Sequence, residues 1–258
     1  MSQLIRSVYK TAMSMLVQQK KQENNANNMA NISTVGFKSK EILTEASFSE
    51  VLANHASGNG KSAFELGSLP LGTSISGYDT DWEQGVILQT GNAMDFALEG
   101  EGFFKFESPL GVLLSRDGEL QQNSDGIWTN KSGLKLLKNG DSGNLEYIQT
   151  EPGQSIVVTA NGSIFADQQR IGRLIVVRPI QNERVETMDS GFYRTGIDNL
   201  EDSDKTTIYQ GALETSNVEA AEALIDMMST GRLLQTQQRI LNTLDETMNR
   251  AANEIGKL

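Results

Sequence analysis

Ser216 to Ile255 reads SNVEAAEALIDMMSTGRLLQTQQRILNTLDETMNRAANEI, forty residues with no proline and a single glycine, Gly231. One position repeats every seven residues: Ala220, Met227, Leu234, Leu241, Met248 and Ile255. The partner positions Ala223, Thr230, Gln237, Leu244 and Ala251 are weaker, and Leu233 and Ile240 widen the stripe. A run this long with this period predicts a helix, and a stripe this narrow predicts a second helix to cover it. Ser216, Asn217, Val218 and Glu219 have the spacing of a capping box, with Ser216 as N-cap and Glu219 at N3.

The other end of the chain has the same character. Ile5, Val8, Ala12 and Met15 fall at a/d spacing, Gln19 and Gln22 interrupt the seam, and Ala26 and Met29 resume it. This predicts a helix of roughly 45 Å. Asn24, Asn25, Asn27, Asn28 and Asn31 crowd its end, followed by Gly36 and Phe37. Asparagine amides compete for the backbone inside a helix. One reading is a fraying helix end. The preferred one is that these amides bond neighbouring backbones in a packed assembly, with a φ > 0 exit at Gly36 and Phe37 as an anchor.

Between the ends the punctuation changes. Of 24 glycines, twenty lie between residues 58 and 210, as do all four prolines and both tryptophans. Asp117-Gly118, Asp125-Gly126 and Asn161-Gly162 are tight-turn dipeptides between short apolar runs. The runs are Phe103 to Phe106, Val112 to Leu114, Ile156 to Thr159 and Leu174 to Val177. The expected fold is α+β: an N-terminal helix over 1–35, an extended connector over 36–75, a mostly antiparallel β domain over 76–210, and a C-terminal helix over 211–258. The two helices are expected to form a discontinuous coiled-coil layer.

Composition excludes several functions. There is no cysteine, so no disulfide framework, no thiolate nucleophile and no Cys-based zinc site. The only histidine, His55, sits in the connector among polar residues, where an exposed side chain is expected. No cleavable leader and no apolar run long enough to span a bilayer is visible. The net charge of −11 argues against nucleic acid. Residues 1–40 carry +5, residues 211–258 carry −3 and residues 41–210 carry −13, so the ends have opposite sign. A basic N-terminal helix could lie on an anionic membrane, but its apolar face is narrow and has neither Trp nor Phe.

Three blocks then carry a resemblance. The first is Ala26-Asn27-Asn28-Met29-Ala30-Asn31 running into Thr34-Val35-Gly36-Phe37-Lys38. The second is Gly85-Val86-Ile87-Leu88-Gln89-Thr90-Gly91-Asn92, leading through Asp95 to Phe104 and then Ser115-Arg116-Asp117-Gly118. The third is Leu213-Glu214-Thr215-Ser216-Asn217-Val218, with Met227-Met228 and Arg232 beyond. In this order they resemble the bacterial flagellar rod and hook protein family over almost the whole chain.

The resemblance implies a structural subunit of the flagellar basal body, exported unfolded by the flagellar type III apparatus without a cleaved signal. Its terminal helices would pair into the inner coiled-coil layer of a helical tube that transmits torque for motility, with the β domain outside. The implied partners are copies of itself, other rod and hook proteins and the export apparatus. No nucleic acid, small-molecule substrate, cofactor, metal or catalytic residue is implied. The assembly residues expected are Ile5, Val8, Ala12, Met15, Ala26 and Met29 on the first seam. Asn27, Asn28, Ala30, Asn31, Gly36 and Phe37 form the motif, and Ser216, Asn217, Val218, Met227, Leu234, Leu241, Leu244 and Met248 the last seam. Met29 stands where the family usually has Leu, a volume-conserving exchange. Gly231 and Leu234 stand where Gln and an aromatic are frequent, which suggests a kink or a close helix approach.

Hook proteins are commonly larger than this chain, which favours the rod, and proximal and distal rod proteins share the motifs. The competing class is a secreted adhesin on a helical stalk, which predicts a ligand site on the β domain. Asp79-Thr80-Asp81 and Asp198 to Asp204 lack the spacing of a Ca²⁺ loop. Gly100-Glu101-Gly102 opens no predicted helix and is not a dinucleotide loop.

Overall fold

The computed structural model describes residues 2–54, 64–109, 111–139, 145–151, 153–188, 191–203 and 205–255. For residues 2–5, 47–54, 64–71, 139, 145, 183, 197 and 254–255 it describes the main chain only. His55 and Asp204 lie outside the described residues, and so does the side chain of Ile5. The chain forms two compact units.

The first unit gathers Met1–Ala30, Lys40–Asp81 and Glu219–Leu258. Helix α1 runs over Ser2–Ala30 and helix α2 over Ala220–Ile255. Between them in sequence, strand β1 (Lys40–Asn54) pairs antiparallel with β2 (Phe64–Thr80), from Lys40↔Thr80 to Asn54↔Phe64. The stretch expected to be an extended connector over 36–75 therefore contains a self-paired ribbon that reaches residue 80. Its Ser/Gly-rich sequence hid it, because few side chains alternate cleanly by polarity.

Both helices begin or end short of their expected bounds. α1 stops at Ala30 because the asparagine-rich run gives way to a turn, with Thr34 N–H donating to the Asn31 carbonyl. α2 opens at Ala220, and its first bond runs from Ala223 N–H to the Glu219 carbonyl. The capping box is thus corrected: the Ser216 hydroxyl accepts the N–H of Val218 at 3.2 Å, a local turn that precedes the helix.

The second unit comprises Asn31–Ser39 and Trp82–Val218, so relative to the expected 76–210 domain it gains 31–39 and 211–218 and loses 76–81 to the first unit. Every strand pairing in it is antiparallel. Among the described residues thirteen strands make one sheet. Two smaller pairs join β3 (Ile87–Gln89) to Ala212–Glu214, and β4 (Phe96–Glu99) to Thr207–Gln210. Strands β5 (Phe103–Ser108) and β6 (Gly111–Ser115) lie near the middle of the sheet.

The strand period of two sends Phe104 and Phe106 into one core with Phe96, Leu98, Trp128 and Ile164. It sends Phe103 into a second core with Leu114, Ile175, Val177 and Tyr193. Burial on both faces explains why Phe103 to Phe106 reads as a run rather than an alternation.

The turn readings divide. Asp125-Gly126 and Asn161-Gly162 do close hairpins, between 120–122 and 128–130 and between 156–158 and 163–166, each glycine with positive φ. Asp117-Gly118 does not. Strands β6 and Leu120–Gln122 are not paired, and Gly118 instead accepts the Phe96 N–H on its carbonyl. Meanwhile Asp167 and Gln168 turn a hairpin with φ of 48° and 70°, without a glycine to announce it.

Candidate functional site

Parts of the three sequence blocks, 36–38, 85–118 and 213–217, meet within the second unit. Glu214, at the end of the strand Ala212–Glu214, places its carboxylate among two cations and a backbone amide. Its Oε1 accepts from Lys38 Nζ at 2.7 Å and from Gly85 N–H at 3.0 Å, and its Oε2 from Arg116 Nη1 at 2.8 Å. The three side chains are 1%, 5% and 0% exposed for Lys38, Arg116 and Glu214. Lys38 also donates to the Glu83 carbonyl at 2.5 Å, and Arg116 Nη2 to the Gly100 carbonyl at 2.6 Å.

Backbone bonds lace the same strands together. Gly36 N–H donates to the Glu214 carbonyl at 2.8 Å, and Asn217 N–H to the Phe37 carbonyl at 3.3 Å. Asn217 Oδ1 accepts the Ser39 N–H at 2.8 Å and its amide donates to the Glu83 carbonyl at 3.3 Å. Gly36 has φ +65°, and a Cβ there would lie 2.5 Å from the Arg116 carbonyl carbon. A Cβ at Gly85 would overlap the Thr215 carbonyl oxygen. Both glycines are therefore required by close backbone approach. Phe37 is buried beside them.

Arg116 stacks over Phe103 with 5.4 Å to the ring centroid, and Trp82, Phe103 and Tyr193 contact one another edge to face or tilted. Burial pushes the Tyr193 phenol well above its ordinary value near 10, against the opposing pull of a hydrogen bond from the Lys38 main chain and of Arg116. The neutral phenol is thus favoured in the folded state, while the unfolded chain ionises near pH 10. Stability held below that pH falls as pH rises through it. Between pH 9 and 11 the wild-type urea midpoint should drop further than that of Tyr193→Phe; equal drops would contradict the buried neutral phenol.

In the first unit the asparagines find partners in their own chain. Asn28 pairs with Lys40 in both directions, donating to its carbonyl at 2.9 Å and accepting its N–H at 3.1 Å. Asn24 donates to the same carbonyl at 2.5 Å, and Asn25 to Thr230 Oγ1 at 3.4 Å. Asn24 and Asn28 thus bond backbone, here the main chain of Lys40 at the start of β1, while Asn25 bonds a side chain of α2. Asn27, Ala26 and Ala30 are exposed, and in the second unit Asn31 Oδ1 accepts from Thr34 Oγ1 at 3.1 Å.

The two helices run antiparallel, with Ser14 bonded to Gln237 at 2.8 Å and Asn25 to Thr230. On α2 the covered positions are those of the expected seam: Met227, Thr230, Leu234, Gln237, Leu241, Leu244 and Met248 are all less exposed than their neighbours. On α1 the match is looser. Val8, Ala12, Met15 and Met29 are half-buried, yet the most buried residue is Val17, outside the seam. It was missed because α1 also packs on β2, a partner the sequence did not reveal. α2 runs unbroken through Gly231, where a Cβ would sit 3.5 Å from the Gln22 side chain in ordinary contact. Gly231→Ala should therefore stabilise by up to about 1 kcal/mol, read as a raised melting temperature. A lowered one would mean that Gln22 cannot adjust.

Other apolar residues remain uncovered, among them Leu233 and Ile240, which were expected to widen the seam. Leu224, Ile225, Met228, Leu233 and Ile240 on α2, and Tyr9 and Leu16 on α1, are exposed, Ile225 by 63%. Among the described residues no helix is long and apolar enough to cross a membrane, and no three His, Asp or Glu side chains form a metal cluster.

Comparison with known proteins supplies the family. Residues 209–254 match the family model for the C-terminal region of flagellar basal body rod FlgEFG proteins. The flagellar basal-body rod protein FlgG of Borreliella burgdorferi is 30% identical across 97% of this chain and 98% of its own length. This chain belongs to the flagellar basal-body rod protein family. FlgG of Buchnera aphidicola from Schizaphis graminum is 26% identical, covering 87% of this chain and 90% of its own. FlgF of Caulobacter vibrioides is also 26% identical, covering 90% and 91%. The rod family is a structural one and not an enzyme family.

Proposed function

We infer that this chain is a structural subunit of the flagellar basal-body rod that joins its neighbours through the terminal helices, and that it carries no catalytic activity. The near-full-length likeness to rod proteins carries the first part. It also favours a rod over a hook position, since the chain and these relatives have nearly the same length. Exposed apolar residues on α2 support the joining of neighbours through the helices. Five large apolar residues left exposed on one helix leave apolar area that a neighbour can cover. In this reading α1 and α2 of many copies form the inner layer of the tube, and the β unit faces outward. Neighbours are copies of this chain and other rod and hook proteins, delivered by the flagellar export apparatus.

Ile225→Asp separates assembly from folding. Ile225 is exposed in the subunit, so the melting temperature of the isolated chain should change little. In cells lacking the wild-type protein, the variant should fail to restore swimming, and basal bodies seen by electron microscopy should lack a complete rod. Full motility with Ile225→Asp would mean that this face stays in solvent.

A further inference from the structure

Within the first unit, Asn28 on α1 holds the main chain of Lys40, the first residue of β1, in two directions. Its Oδ1 accepts the Lys40 N–H at 3.1 Å and its Nδ2 donates to the Lys40 carbonyl at 2.9 Å, as a paired strand would. One turn earlier, Asn24 donates to the same carbonyl at 2.5 Å. Four residues apart, the two amides share the helix face that meets the root of the ribbon. Asparagine is a poor residue for a helix interior, so this face gives up helix propensity and gains an attachment.

Further along, the ribbon follows the helix. Ser47 pairs with Gly72, and a Cβ at Gly72 would lie 3.7 Å from Met13 Cβ. From Asn28 back to Met13 the helix covers about 22 Å. From Lys40 to Ser47 the strand covers about 23 Å. Ribbon and helix therefore lie side by side with matched advance. The apolar hold on this arrangement is thin: among the described side chains of β1 and β2, only Ile42 is buried. A two-stranded ribbon is marginal by itself, so its direction depends on where its root is fixed.

We propose that Asn28 is a positioning residue for rod assembly: its amide fixes the β1–β2 ribbon along α1, so that every subunit offers the ribbon to its neighbour in one direction. The assembly half of this rests on the reading of the chain as a rod subunit joined through α1 and α2. The leverage lies at the root. Strand β1 runs on to Asn54, so a small rotation at Lys40 displaces the far end by much more.

The chain has no cysteine, so Ala26→Cys and Ala46→Cys, both at exposed positions, take spin labels at those two sites alone. Double electron–electron resonance then reads the helix-to-ribbon distance in the full chain. With Asn28 in place the distribution should be single and narrow. Asn28→Ala should broaden it, while the helical circular dichroism holds or rises, because alanine is the better helix former. Asn28→Asp keeps the acceptor for the Lys40 N–H and loses the donor, so its width should be intermediate. Exchange of the Lys40 amide should quicken by about tenfold in Asn28→Ala and by less in Asn28→Asp. Asn25→Ala removes an amide that bonds Thr230 instead of Lys40, and should leave the distribution narrow. Equal widths with and without Asn28 would overturn the proposal, and so would equal broadening by Asn25→Ala. In cells, swimming should fall in Asn28→Ala and partly return in Asn28→Asp. Full swimming with a broadened ribbon would overturn the role in assembly and leave the rod reading standing, since Ile225→Asp tests that reading by itself.

Discussion

Glu214→Ala should destabilise the β unit by about 3–5 kcal/mol, the cost of leaving a buried ion pair without one partner. Here two cations lose their common counter-charge at once, and the Gly85 N–H loses its acceptor. Equilibrium urea unfolding, followed by near-ultraviolet circular dichroism of the buried Trp128, measures the loss. Converting all three charges together, Lys38→Met, Arg116→Met and Glu214→Met, should recover part of it, since no unpaired charge is then buried. Recovery should stop short of wild type, because the Gly85 N–H and the Gly100 carbonyl then lose the partners they have in the clasp. A midpoint unmoved by Glu214→Ala would mean that the clasp is energetically idle. Loss of the triad would also be expected to reduce rod assembly indirectly, through a smaller folded population.

Leu241→Asp should abolish motility, whereas Lys20→Glu with Lys21→Glu should only reduce it. Leu241 sits on the covered stripe of α2, where an apolar side chain contributes about 1.5–3 kcal/mol. An aspartate there adds the cost of burying a charge. Lys20, by contrast, is about half exposed and bonded to Glu23 at 2.7 Å along its own helix. Such pairs contribute about 0–1 kcal/mol and are screened by salt. Swimming on soft agar, with protein levels measured in parallel, compares the two. Normal swimming with Leu241→Asp and none with the reversed lysines would invert this ranking of packing over charge.

These two cases also mark what the sequence made legible. α2 could be read because its seven-residue period runs for five turns of repeat with only one glycine and no competing contact on the seam side. α1 was legible as a helix but not in its buried face, since Val17 answers to a ribbon that no polarity pattern announces. Hairpin turns with Asn-Gly or Asp-Gly were mostly readable. The turn at Asp167-Gln168 was not, because residues other than glycine rarely hold positive φ and give no signal when they do. The clasp was half legible. Lys38, Arg116 and Glu214 each lay inside a quoted block, yet none was singled out, because nothing in one dimension says that three charges separated by 78 and 98 residues will share a buried point. The one available hint was Gly85 and Gly36, glycines whose neighbours are otherwise strand formers.

That separation bears on timing. Lys38 and Glu214 are 176 positions apart, so no chain shorter than 214 residues can close the clasp. Until that residue arrives, Lys38 and Arg116 are two like charges with no reason to come together. The entropy of closing so long a loop grows only logarithmically with its length, so the finished chain gives up little stability for the arrangement. The pairing is slow to find, however, as non-local contacts are. A subunit wired in this way closes its clasp only once the strand Ala212–Glu214 is in place, and that strand acts as the latch.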